Sequence, residues 1–225
     1  MQYSLFQIEQ TFKERSWWAT IASLVPSKYL TYYIANNTKI TPNQVTFLSF
    51  ILAIIAGGCF YSQHYICGAI LYQLSYILDI VDGSLARVAQ KSSAIGAFFD
   101  VFTDWLKGPI LIIILLMTLD QKNVLIVILY LLFLLSLANK YNDMLFYTQQ
   151  KSYTKSKSVQ QSLVGKYFTF MEQKNIQGLP GMVEFEALLL FFYPIFQKDF
   201  FIYLAIGLLF ALICLKIIVI YKKIK

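Results

Sequence analysis

Apolar runs broken by short polar stretches mark six segments for membrane crossing, at about 44–61, 65–88, 95–118, 123–147, 182–196 and 200–221. The uncharged cores Val45–Phe60, Pro109–Leu119 and Val124–Ala138 carry the pattern most clearly. Thr41-Pro42 opens the first span as a hydroxyl N-cap followed by proline at the first helical position. Residues 16–35 are moderately apolar, with Pro26 and Lys28 in the middle and Trp17, Trp18, Tyr29, Tyr32 and Tyr33 around them. That mixture predicts helical segments lying on the cytoplasmic interface rather than a seventh span. The polar stretch 148–181 reads as a cytoplasmic loop with a short amphipathic piece near 159–172. The expected fold is an all-α integral membrane protein: six transmembrane helices preceded by an N-terminal interfacial amphipathic helix. Residues 1–41 form the cytoplasmic N-terminal segment and 42–225 a single transmembrane domain. No internal repeat and no second soluble domain is apparent.

Composition sharpens this picture. Of 225 residues 58% are hydrophobic and only 14% charged, against the roughly 25% charged of soluble domains. A soluble enzyme, a secreted disulfide scaffold and a disordered tail are excluded. The net charge of +7 is distributed by side. Lys13, Arg15, Lys28, Lys39, Lys91, Lys151, Lys155, Lys157, Lys166, Lys174, Lys222, Lys223 and Lys225 fall on one side of the six spans, and Lys122 and Lys198 on the other. This asymmetry predicts that both termini are cytoplasmic. The basic excess therefore reads as topology and anionic-lipid contact, not as a nucleic-acid footprint. Cys59, Cys67 and Cys214 lack metal-ligand spacing and read as small packing residues, without a structural disulfide. His64 reads as an ordinary residue of the outer loop. Residues 1–15 are polar, so no signal peptide is expected before the first span.

The chemistry lies in the acids. The chain has twelve carboxylates, and four of them, Asp79, Asp82, Asp100 and Asp104, fall within one short stretch. Asp79 and Asp82 are spaced i,i+3 near the cytoplasmic end of the second span, and Asp100 and Asp104 i,i+4 near the start of the third. The short connection 88–94 makes those helices antiparallel neighbours, so the four carboxylates converge at one depth. Each intramembrane acid costs on the order of 2–3 kcal/mol, and like charges resist shared ionisation. Two divalent ions relieve both costs, and an all-oxygen set without His or Cys favours Mg²⁺, with Mn²⁺ as substitute. Such a pair is a clamp for displacement at phosphorus. Gly83, Ala86 and Gly96 keep the facing surfaces open, and Arg87, one turn beyond Gly83, is placed to meet a phosphate or nucleotide.

Asp79 through Asp104 match every specified position of D-x2-D-G-x2-A-R-x8-G-x3-D-x3-D. The chain in this respect resembles the CDP-alcohol phosphotransferases, also called CDP-alcohol phosphatidyltransferases. Thr41-Pro42-Asn43-Gln44-Val45-Thr46 also looks like that family's nucleotide-binding start to its first span, and the likeness extends over about residues 20–222. The resemblance implies that Asp79, Asp82 and Asp100 hold two Mg²⁺, with Asp104 completing the site and acting as general base. It implies that Asn43, Thr46, Gly83, Arg87 and Ser93 contact the CDP part of the donor. The implied reaction is attack of an alcohol hydroxyl on the β-phosphorus of a CDP-linked alcohol, CDP-diacylglycerol foremost, releasing CMP at a cytoplasmic active site. A homodimer is implied as well.

The acceptor is open at this level. Phosphorylated acceptors usually call for extra arginines or lysines, and no arginine follows Arg87. Lys107, Lys140 and Glu184 are candidate acceptor contacts. Lys107 reads first as a partner of the acidic cluster, and Glu184 and Glu186 either face a cationic aminoalcohol or are ordinary helix-start acids. The alternatives are a CDP-aminoalcohol or CDP-polyol donor with a lipid or inositol phosphate acceptor, and, in a different class, a divalent-cation or proton-coupled transporter. The transporter reading leaves Arg87 and Pro42–Thr46 unexplained.

Overall fold

The computed structural model describes residues 3–12, 15–91, 94–149 and 163–224. Its helices are α1 (Leu5–Glu9), α2 (Leu24–Asn37), α3 (Pro42–Tyr61), α4 (Tyr65–Val88), α5 (Ala94–Thr118) and α6 (Lys122–Gln149), followed by α7 (Leu163–Gln173), α8 (Met182–Ala187), α9 (Tyr193–Phe196) and α10 (Phe200–Ile224). Among the described residues there is no strand, only one isolated parallel bridge between Arg15 and Ile176. Five helices, α3, α4, α5, α6 and α10, are long and apolar enough to cross a membrane. The chain is thus an integral, multi-pass helical membrane protein.

Segment 182–196 is helical but broken. It runs as α8, a π turn Leu188–Phe192 and α9, which are six, five and four residues long. At ~1.5 Å per residue that is roughly 22 Å, short of the ~30 Å hydrocarbon core. Pro194 supplies the reason for the break. It has no N–H for the ladder and crowds the carbonyl four residues before it, and the backbone widens to a π turn just upstream. The N-terminal segment repeats the device: a π turn Ala19–Ser23 precedes Pro26 and leads into α2.

Thr41 caps α3 in extended conformation with Pro42 at the first turn, and Gln44 Oε1 accepts from the Thr41 N–H at 2.9 Å. Lipid offers little hydrophobic driving force between helices, so close packing at small residues holds the bundle. On α3, Ala53 and Ala56 let α4 and α5 approach, and Phe60 fills the end of the seam. Gly68 of α4 receives the Phe60 ring, which occupies the space a Cβ would need. Leu115, Leu116, Ile128, Leu190 and Leu209 extend this core through α5, α6, the second π turn and α10. A smaller cluster, Ile34, Val45, Val81 and Leu85, ties α2 to α3 and α4 beside the acidic stretch.

The faces of α2 are inverted relative to a soluble helix. Ser27 and Thr31 are fully buried, the Ser27 hydroxyl donating to the Ile77 carbonyl of α4 at 3.3 Å. Val25, Tyr29 and Tyr33, with Ile21 before them, are exposed at every fourth position.

Candidate active site

The acidic stretch folds as its spacing requires. Asp79 and Asp82 are carried by α4, Asp100 and Asp104 by the next helix, α5, and both helices pack on α3. Asp79, Asp82 and Asp100 each offer a carboxylate oxygen, and these oxygens lie within 4.8 Å of one another. Asp82 is buried, and its Oδ2 has no hydrogen-bond partner. An orphaned buried carboxylate oxygen beside two more carboxylates is a donor set of the kind a hard divalent cation takes. The residues present fit such an ion.

Asp104 stands apart from that trio. It is half-exposed and is held by Lys107 Nζ at 2.9 Å, while Lys107, itself buried, also pairs with Asp79. Lys107 Nζ further lies 3.3 Å from Ser49 Oγ of α3. Ser49 and Ser75 clamp α3 to α4 beneath it: the Ser49 hydroxyl donates to the Ser75 carbonyl at 3.0 Å, and the Ser75 hydroxyl to the Ser49 carbonyl at 2.8 Å. The ambiguity over Lys107 resolves towards pairing with the cluster.

Two adjoining cavities meet at these acids. The larger, about 280 Å³, is lined by Arg15, Ser16, Gly83, Arg87, Asp100 and Gln177 among others. The smaller, about 160 Å³, is lined by Tyr72, Ser75, Lys107, Gly108, Met182 and Glu186 among others. Tyr76, Asp79, Asp104 and Val183 border both.

In the larger cavity the Arg87 guanidinium folds back over Gly83. A Cβ there would lie 3.3 Å from both Nη atoms. Arg87 Nε donates to the Thr11 carbonyl at 2.6 Å, and the Thr46 hydroxyl lies against the Asp82 carboxylate from α3. Asn43 is exposed at the start of α3 and lines neither cavity. Ser93 lies outside the described residues. Lys140 is exposed on α6 and lines neither cavity. Glu184 does not line them either: its carboxylate accepts from the Gly181 N–H at 2.6 Å and the Trp18 N–H at 3.0 Å, a capping role. Cys59 and Cys67 are free thiols with Sγ atoms 3.5 Å apart, at the end of the bundle where α3 turns into α4.

The site also contains residues that spacing does not reveal. The N-terminal chain is stitched across it like a strap. Arg15 N–H donates to Asn175 O at 2.8 Å, Gln177 N–H to Arg15 O at 2.7 Å, and Trp17 Nε1 to Gln177 O at 2.8 Å. This delivers Arg15, one of the chain's two arginines, to the same cavity wall as Arg87. Its Nε is buried without a partner. Burial pulls the Arg15 pKa down, with the charge of Glu9 opposing, and a guanidinium remains cationic throughout. Glu9, in turn, is held below its usual carboxylate range by the hydrogen bond from Lys28 and by that residue's charge. The only sequence signal for Arg15 is the scarcity of arginine.

The profile of the CDP-alcohol phosphatidyltransferases matches residues 39–221, from the cap of α3 to the last turns of α10. The chain belongs to the CDP-alcohol phosphatidyltransferase family. Among curated relatives it is similar to a bifunctional IPC transferase and DIPP synthase of Thermococcus kodakarensis, 38% identical over 84 residues, 37% of this chain and 19% of the relative. It is similar also to archaetidylinositol phosphate synthases of Pyrococcus horikoshii, 40% identical over 65 residues (29% of this chain, 35% of the relative). The corresponding synthase of Methanothermobacter thermautotrophicus is 32% identical over 80 residues (36% and 41%). The matched stretches thus span from 19% to 41% of these relatives.

Proposed function

We propose that the protein transfers the phosphoryl-linked alcohol of a CDP-alcohol to the hydroxyl of a second alcohol, releasing CMP. The observation that carries this is the carboxylate trio Asp79, Asp82 and Asp100, with its orphaned buried oxygen, at the edge of the larger cavity in a chain of this family. The donor's nucleotide and diphosphate occupy the larger cavity, where Arg87 and Arg15 offer forked donors to phosphate oxygens. Gly83 borders the nucleotide there; Asn43, Thr46 and Ser93 are assigned to the donor on the family resemblance alone. Asp79, Asp82 and Asp100, with Asp104 completing the site, would hold two Mg²⁺ or Mn²⁺, which supply charge neutralisation at the diphosphate. Asp104 borders both cavities and takes the proton from the acceptor hydroxyl. The acceptor oxygen forms a bond to the β-phosphorus, the bond from that phosphorus to the bridging oxygen breaks, and CMP departs. Lys107 keeps Asp104 and Asp79 apart in charge and fixed in position.

The donor is a CDP-linked lipid, with CDP-diacylglycerol the first probe. The names of the archaetidylinositol phosphate synthases favour an inositol phosphate acceptor as a second reading. The broken segment 182–196 completes six crossings, and the exposed apolar face of α2 beds in the headgroup zone as an interfacial helix. Residues 1–41 and 42–225 then divide as N-terminal segment and catalytic domain, with both termini, the loop 148–181 and the site on the lysine-rich cytoplasmic side. A homodimer accords with the family. The test is to incubate purified protein with CDP-diacylglycerol, Mg²⁺ and a panel of alcohols and follow CMP. CMP release is expected and Asp104→Asn should abolish it. Absence of CMP with every acceptor, or undiminished release from Asp104→Asn, would sink the proposal.

A further inference from the structure

Glu186 is a carboxylate in the interior of the bundle, and nothing in the reaction above uses it. Its Oε2 accepts one hydrogen bond, from the Tyr72 hydroxyl at 3.2 Å. Its Oε1 occupies the space beside Gly108 where a Cβ would stand. Glycine at 108 is therefore what admits the carboxylate between α8 and α5. A carboxylate inside the bundle held, among the described residues, by a single neutral donor is costly and points to a ligand. Glu186 lines the smaller cavity, whose other charged walls are Asp79, Asp104 and Lys107. That is three carboxylates against one ammonium, and the ammonium is already engaged by Asp79 and Asp104. Both arginines of the chain lie on the larger cavity.

Resting on the proposed function, we infer that the smaller cavity receives the acceptor and that Glu186 selects one without an anionic group: a small, donor-rich alcohol, a neutral polyol or an amino alcohol. A volume of about 160 Å³ exceeds the ~10–15 Å³ that one water needs and suits a small hydroxylated molecule. Such a molecule can place one hydroxyl at Asp104, which borders both cavities, while its remaining O–H or N–H groups reach Glu186 Oε1. The Tyr72 and Tyr76 hydroxyls offer further partners on the same wall. A phosphorylated acceptor that filled this cavity would instead set its phosphate beside the Glu186 carboxylate, away from both arginines.

The test is CMP release from CDP-diacylglycerol and Mg²⁺ with four acceptors: myo-inositol, ethanolamine, sn-glycerol 3-phosphate and inositol 1-phosphate. At least one of the first two should be used, and kcat/KM for the phosphorylated pair should be lower. Inositol against ethanolamine separates polyol from amino alcohol. Glu186→Gln keeps the shape and an acceptor for Tyr72 but loses the charge. It should raise acceptor KM by about tenfold or more, the worth of a hydrogen bond to a charged group, with donor KM and thermal stability unchanged. Gly108→Ala is the second variant, displacing the carboxylate without altering it, and should raise acceptor KM in the same way. Higher kcat/KM with a phosphorylated acceptor, or an unchanged acceptor KM in a folded variant, overturns the inference while leaving the transferase intact. No CMP with any acceptor overturns the proposed function and the inference together.

Discussion

Lys107→Met is the most informative perturbation of the acidic site. Lys107 is 10% exposed, lies 2.9 Å from Asp104 and also engages Asp79, which is 16% exposed. A unit-charge pair at that distance is worth about 6 kcal/mol at an effective dielectric of ~20, offset in part by the desolvation of both ions. Removing one partner of a buried pair costs about 3–5 kcal/mol because the other charge is left uncompensated. The lower end applies, since Asp104 is 48% exposed and partly screened by water. Roughly 3 kcal/mol corresponds to a fall in Tm of about 10 °C for a chain of this length. A divalent cation at Asp79, Asp82 and Asp100 would replace that compensation, so the loss should depend on metal. The assay is thermal unfolding in detergent, followed by tryptophan fluorescence, in chelator and in excess Mg²⁺. The variant should melt about 10 °C below wild type in chelator, and Mg²⁺ should restore more than half of the gap. Equal Tm values in chelator, or a deficit that Mg²⁺ leaves untouched, would refute the view that Lys107 stands in for missing positive charge.

Asp79→Asn, Asp82→Asn and Asp100→Asn should each cut CMP release by about 100-fold or more, the scale of losing electrostatic stabilisation at the reacting centre, and each should blunt the rise in Tm on adding Mg²⁺. Gly68→Ala sets a methyl into the Phe60 ring; overpacking should cost about 1–3 kcal/mol, read as a lower Tm with CMP release per folded molecule unchanged. Glu184→Gln weakens acceptance from the Gly181 and Trp18 N–H groups. It should loosen the strap by about 1–3 kcal/mol, seen as faster amide exchange at residues 15–18 and a raised donor KM, because Arg15 is carried by that strap.

The convergence of Asp79, Asp82 and Asp100 was legible because a helix turns local spacing into a shared face and a short loop brings the next helix back beside it; Asp104 stands apart from them. The lone Thr41-Pro42 cap was legible for the same local reason. Residues delivered by distant chain were not. Arg15 reaches the site through backbone pairing with residues 175 and 177, and nothing in its neighbours encodes that pairing. Glu184 and Glu186 illustrate the limit within a single helix. Both look like first-turn acids, yet one turns outward to cap backbone N–H groups and the other inward onto Gly108, a difference decided by packing against α5 and α4. The break in 182–196 follows from Pro194, whose widened turn upstream trades helix length for a kink that brings α8 against the site.

These placements impose an order on the charge around Asp104. The larger cavity carries Arg15 and Arg87, the smaller one Glu186, and Lys107 lies between Asp79 and Asp104. Under the proposed function a diphosphate is drawn to the arginine wall and the acceptor meets the carboxylate wall. Asp104, the proposed general base, borders both cavities and stands outside the carboxylate trio. Moving Glu186 to the donor wall, or Arg15 to the acceptor wall, would reverse the preference for each substrate. On the proposed function, the strap and the Gly108 notch, neither of them part of the aspartate motif, would set which molecule fills which cavity, whereas the motif would set the reaction.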